Sequence, residues 1–240
     1  CTWYGVVCDD NDRVIELNLS QNNLRGSLPM QLGELTELTK FSAANNDIGG
    51  QLPESIYSIS NLETLQIQSN EFYGELSDLI GNLDKLKFLS LSNCNLSGEI
   101  PTTIGNLTEL VVFSASLNEI SGNIPDAITQ LTKLESLSLE LNNISGELPL
   151  NIGDLSLMRS LRLFGNQLSG SIPASLGDLD SLFILYLQDN NLSGCFDENL
   201  LNLCSVGELR MNNNIELPWS GEFDIPDGAN GFSLNFRVKC

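Results

Sequence analysis

The residue types best able to do chemistry are sparse in this 240-residue chain. There are six cysteines (Cys1, Cys8, Cys94, Cys195, Cys204, Cys240), no histidine, and one short acidic run, Asp9-Asp10-Asn11-Asp12. A cysteine nucleophile needs a base or a cation to hold it as thiolate, and the commonest base is missing. No C-x-x-C spacing supports zinc. The acidic run is rich in oxygen but lacks the glycine and terminal glutamate of an EF-hand loop. No catalytic residue, metal or cofactor is expected. What remains is recognition chemistry: Arg162, Tyr186 and Arg210 lie 24 residues apart in succession, and arginine with tyrosine dominates the energetics of interfaces.

Composition narrows the classes further. Eleven basic residues face 31 acidic ones for a net charge of −20, yet only 18% of residues are charged, so the acidity reflects missing bases. The 41% of hydrophobic residues can build a core, which excludes a disordered acidic tail. An acidic surface repels phosphate backbones and anionic lipid, so neither nucleic acid nor a membrane surface is an expected partner. No apolar run approaches the roughly 20 residues that span a bilayer. The chain starts at Cys1 with no signal-like segment, and the expectation is a processed form or a fragment.

The elements that position these residues follow from an internal repeat. Asn22, Asn46, Asn70, Asn118, Asn142, Asn166, Asn190 and Asn214 share a 24-residue register, with Cys94 filling the one gap. Glycine follows four residues later, from Gly26 to Gly194, and proline seven later at Pro29, Pro53, Pro101, Pro125, Pro149 and Pro173, with Ser77 and Asp197 as exceptions. Upstream, apolar pairs recur in phase, such as Leu65 and Ile67 or Leu185 and Leu187. Alternation of these pairs with polar residues predicts short strands whose apolar side chains point inward. Each strand lies beside its copy in the next coil, and the register Asn, which both donates and accepts, satisfies buried backbone groups. Segments such as Ile104-Gly105-Asn106-Leu107 predict 3₁₀ or short helical turns on the outer side. No coil can bury its apolar face alone, so stability comes from stacking. At the register position Cys94 is expected to be a buried free thiol.

The pattern LxxLxLxxNxLxGxIPxxLGxL over residues 14–217 resembles the plant-type leucine-rich repeat of receptor-kinase ectodomains, receptor-like proteins and polygalacturonase-inhibiting proteins. The resemblance implies an α/β solenoid: a right-handed superhelix of about nine coils, a parallel concave sheet, a second shorter sheet near the G-x-I-P segment, and disulfide-capped ends. Residues 1–13 then form the remnant of an N-terminal cap and 218–240 a C-terminal cap, with Trp219, Phe223, Phe232 and Phe236 available to cover the end. Cys1-Thr2-Trp3-Tyr4-Gly5-Val6-Val7-Cys8 looks like the end of the family's N-terminal cap, implying a Cys1–Cys8 bridge. At the other end Cys195–Cys204 is favoured, with Cys204–Cys240 as the competitor. Such bridges imply an oxidising compartment, hence secretion or the cell surface. Five sequons agree, at Asn18, Asn95, Asn106, Asn143 and Asn191. Asn106, on an outer turn, is the first candidate for a glycan, whereas a glycan on Asn18 would foul the concave sheet.

Because the repeat fixes the framework, the variable positions fall into columns. The central concave column reads Asn18, Ser42, Gln66, Ser90, Ser114, Ser138, Arg162, Tyr186, Arg210. Its neighbours place Phe164 and Ile184 beside Arg162, Tyr186 and Arg210, and Phe88, Val112, Leu117 and Leu141 along the edges of a hydroxyl-rich middle. These nine residues are the expected partner-binding set. The plainer explanation is that strands favour aromatics and that the arginines neutralise local acid. The leading expectation is an extracellular module that binds a protein or peptide on its concave face, with a glycosidase inhibitor as a special case. The alternative is a structural or adhesive subunit of a cell-surface or matrix assembly. A water- or polysaccharide-ordering surface is suggested by Ser90, Ser114 and Ser138, but Arg162 and Tyr186 interrupt it.

Overall fold

The computed structural model describes residues 2–194 and 197–216. Its main feature is a ten-stranded sheet in which nine strands are parallel and lie in register 24 residues apart. Most are three residues long, such as Phe88–Ser90 and Ser160–Arg162, because one inward residue per strand is enough: Leu65, Leu89, Phe113, Leu137, Leu161 and Leu185 are fully buried in one continuous core. The tenth strand, Val6–Cys8, runs antiparallel to Val14–Asn18 and covers the first coil's edge. The repeat extends only from residue 14, so this hairpin was not foreshadowed by it. The single second sheet implied by the resemblance is instead two four-stranded sheets, one ending at Asn95–Ser97 and the other starting at Ser145–Gly146. Isolated bridges Glu99↔Ser121 and Asn123↔Ser145 connect them.

Proline explains the start of the outer turns. The residue before the 3₁₀ turns Thr102–Asn106 and Asp126–Gln130 is Pro101 or Pro125, extended at φ near −66° or −68°, a value its ring fixes. Where proline is absent, a side chain does the capping: Ser77 Oγ accepts from Leu79 N–H at 3.2 Å and Asp197 Oδ1 from Asn199 N–H at 2.9 Å. Successive turns approach closely. A Cβ on Gly105 would sit 2.8 Å from the Ala127 carbonyl oxygen, which explains the glycine of the L-G-x-L segment there.

The asparagine ladder ties coil to coil. Asn142 Nδ2 donates to Ala115 O at 2.9 Å and Leu139 O at 3.0 Å, while its Oδ1 accepts from Ile120 N–H at 3.0 Å. Asn70, Asn166 and Asn190 repeat these contacts. Cys94 fills the gap as a buried free thiol; its Sγ donates to Ile67 O at 3.5 Å, and burial pushes its pKa up to about 11. Cys8 is disulfide-bonded. The expected pairings Cys1–Cys8, Cys195–Cys204 and Cys204–Cys240 all involve Cys1, Cys195 or Cys240, which lie outside the described residues, as does the expected cap 218–240.

Candidate binding face

In the acidic run Asp9 is engaged within the chain. Asp9 accepts from the backbone of Asn11 and Arg13 at 2.9 Å each and pairs with the Arg13 guanidinium, and that side-chain bond is the main cause of its lowered pKa. No cluster suited to a metal occurs among the described residues. A shallow depression lined by Arg25, Asp47, Gly49 and Glu71, on the four-stranded sheet that ends at Asn95–Ser97, has its cation paired internally, Arg25 with Asp47 at 3.2 Å. The concave sheet therefore carries the interest.

Cations on this solenoid are mostly spent within it. Carboxylate-to-cation rungs join residues 24 apart: Glu16–Lys40 at 2.6 Å, Glu63–Lys87 at 2.9 Å, Glu109–Lys133 at 2.6 Å and Glu135–Arg159 at 3.3 Å. Arg13 meets Asp9 and Glu37, and Lys85 donates to the Asn61 amide. Their 24-residue spacing is that of the repeat itself. Among the described residues Arg162 and Arg210 alone have neither a carboxylate nor an amide partner. No direct ion pair therefore holds them, and Arg162 acts on the Glu140 carboxyl only through its longer-range field.

Both instead flank one ring. Parallel register sets Arg162, Tyr186 and Arg210 in a row across three strands. The Arg162 guanidinium carbon lies 5.8 Å from the Tyr186 ring centroid and that of Arg210 4.7 Å, both within cation–π range. Phe164 meets Tyr186 edge to face, with centroids 6.3 Å apart and planes at 66°. The Tyr186 hydroxyl donates to Glu208 Oε2. That bond is the main reason the phenol is held above its usual pKa, and desolvation adds to it, while the two arginines oppose. Glu208 is not among the residues expected from the sequence, because its reach to Tyr186 depends on a rotamer.

The other expected residues fall as follows. Phe88 is exposed on the same sheet, and Leu117 and Leu141 are 50% and 43% exposed at its edge; Val112 and Ile184 are half-buried. The serines of the middle bond to one another, with Ser92 Oγ 2.7 Å from Ser114 Oγ and 2.9 Å from Ser116 Oγ. Beside Phe164, Glu140 Oε2 is buried without a partner, and burial raises this carboxyl above its usual range, against a smaller opposing pull from its own backbone N–H and Arg162. Gln188 Oε1, two coils further along the same column, is likewise buried without a partner. The five sequon asparagines, Asn18, Asn95, Asn106, Asn143 and Asn191, are all exposed.

Comparison with known proteins agrees with this architecture. Residues 56–192 match the family described as the EGF-like domain-containing protein ComC LRR domain, and residues 13–35 match Leucine Rich Repeat. The chain belongs to the leucine-rich-repeat family, in its plant-type subclass. It is 43% identical over 44 residues to the LRR receptor kinase SERK2 of Oryza sativa subsp. japonica, a match covering 18% of this chain and 7% of that protein. The LRR ectodomain of the Arabidopsis thaliana membrane receptor kinase GASSHO1/SCHENGEN3, solved with CASPARIAN STRIP INTEGRITY FACTOR 2, is similar with a TM-score of 0.81 and 39% identity over 82% of this chain. The Arabidopsis HAESA ectodomain, solved with the IDA peptide hormone, is similar with a TM-score of 0.79 and 33% identity over 89% of this chain. The chain spans only 24% and 36% of those two ectodomains. No helix among the described residues is long and apolar enough to cross a membrane.

Proposed function

We propose that this chain is an extracellular, non-catalytic recognition module that binds a protein or peptide on its concave sheet, centred on Arg162, Phe164, Ile184, Tyr186 and Arg210. Phe88, Val112, Leu117 and Leu141 extend the contact surface toward earlier coils. The observation that carries this reading is the row in which two arginines without acidic partners flank Tyr186 on an open sheet. Arginine and tyrosine held in place by neighbours contribute most to binding when a partner desolvates them. The bound ligands of the GASSHO1/SCHENGEN3 and HAESA ectodomains support the same use of the fold, and the exposed sequons, Asn106 first, fit a secreted glycoprotein.

The test is selection of phage-displayed 12-residue peptides on the immobilised 240-residue chain. The selected pool should be retained at least tenfold less by the triple variant Arg162→Ala, Tyr186→Ala, Arg210→Ala, whose thermal midpoint stays close to the parent's. Lys133→Ala, on an edge rung, should retain the pool fully. Equal retention by the triple variant would overturn the assignment.

A further inference from the structure

Every coil leaves its concave strand through one residue in the left-handed region. At this position Gln21, Asn45, Ser69, Asn93, Asp189 and Asn213 have φ between 52° and 58°, and Gly165 has φ 66°. Asparagine, aspartate and glycine accept this conformation readily, whereas a larger L side chain is opposed by its own Cβ. Gln21 occupies it with a polar side chain at φ 58°, and only Leu117 and Leu141, at φ 56° and 57°, occupy it with apolar ones. They are also 50% and 43% exposed, so burial offsets the backbone cost only in part. Two adjacent coils thus bear the same doubly unfavourable choice. Strain kept at an exposed position points to function rather than to packing.

The surroundings define what would sit there. Leu141 lies over Gly165, its Cδ2 2.7 Å from where a Gly165 Cβ would stand, so the leucine lip continues without an intervening side chain toward Phe164 and Tyr186. Beyond them lie Arg162 and Arg210. Two carboxylates of this region make no direct pair with these arginines: Glu208 accepts from the Tyr186 hydroxyl, and one oxygen of Glu140 is buried. We propose that Leu117 and Leu141 anchor an aliphatic side chain of an extended peptide segment whose acidic side chain, several residues away, meets Arg162 and Arg210. From the coil of Leu141 to that of Arg210 is three strand spacings, about 14 Å, which extended chain crosses in roughly four residues. This inference rests on the concave face being the binding surface.

The experiment uses an array of synthetic 12-residue peptides, each with one Leu and one Glu four positions apart, against matched peptides with Glu replaced by Lys or Leu replaced by Ser. The parent chain should bind the Leu–Glu peptides at least tenfold more strongly than either matched set. Leu117→Asn and Leu141→Asn should each lower that binding at least tenfold while the thermal midpoint holds or rises, because asparagine suits the left-handed backbone. Absence of any preferred Leu–Glu binder, unchanged binding by both leucine variants, or a lowered midpoint in them overturns the inference. If the phage-selected pool still depends on Arg162, Tyr186 and Arg210 while both leucine variants retain it, the concave-face reading stands and the leucine anchor falls.

Discussion

Cys94 provides a direct measure of what one asparagine contributes to the ladder. Replacing it with asparagine, Cys94→Asn, should restore what Asn142 has: two donations to carbonyls at 2.9–3.0 Å and one acceptance from the preceding coil's N–H at 3.0 Å. The thiol offers contacts only at 3.5 Å to Ile67 O and 3.8 Å to Ser92 O, and the N–H that an Oδ1 would receive is that of Phe72, 22 residues earlier. Each net hydrogen bond contributes about 1 kcal/mol, so converting two weak sulfur contacts and adding an acceptor should stabilise by about 2–3 kcal/mol. The reverse exchange, Asn142→Cys, should cost at least about as much, because Ile120 N–H loses its acceptor in a buried setting. Urea titration followed by circular dichroism reads both. At about 2–4 °C per kcal/mol for a chain of this size, calorimetric midpoints should move by roughly 5–10 °C in opposite directions. A Cys94→Asn variant that folds normally and is no more stable, or a costless Asn142→Cys, would refute the reasoning.

Further expectations concern single groups. Glu140 binds its proton more tightly in the folded chain than in the unfolded one, so this group's contribution to stability improves as pH falls from above its raised pKa toward the ordinary carboxylate value of about 4.3. Glu140→Gln should therefore raise the melting temperature at pH 7, with the gain shrinking toward pH 4; a pH-independent difference would contradict this. Cys94, with a thiol pKa of about 11, should react with a disulfide reagent at neutral pH only at the rate of unfolding. Gly105→Ala, which forces a Cβ to 2.8 Å from the Ala127 carbonyl oxygen, should cost roughly 1–3 kcal/mol in urea titration. Lys133→Ala, by contrast, removes an exposed rung to Glu109 and should cost no more than about 1 kcal/mol in the same assay.

Legibility of the sequence followed the repeat. Where a residue's role is set by phase, as with Leu89 in the core, Asn142 in the ladder or the row Arg162–Tyr186–Arg210, spacing alone gave its place. What lay outside the repeat was not legible: the antiparallel strand Val6–Cys8 precedes the first coil. What depends on a rotamer was not legible either, since the Tyr186–Glu208 bond and the buried Oε2 of Glu140 require knowing where long side chains turn. The left-handed turn at Leu117 and Leu141 lies between these cases. Asparagine, aspartate and glycine in most of the same column signalled it, but a column read for apolarity showed two leucines only as an edge.

The ladder bonds reach only into the adjoining coil, at separations such as 22 and 27 residues. Under tension applied to its two ends, such a molecule would surrender coils singly, each releasing on the order of 8 nm of slack from 24 residues at about 3.5 Å apiece. Because Tyr186 and its neighbours ride on late coils, traction peeling the first few layers would leave that ring between its two guanidiniums.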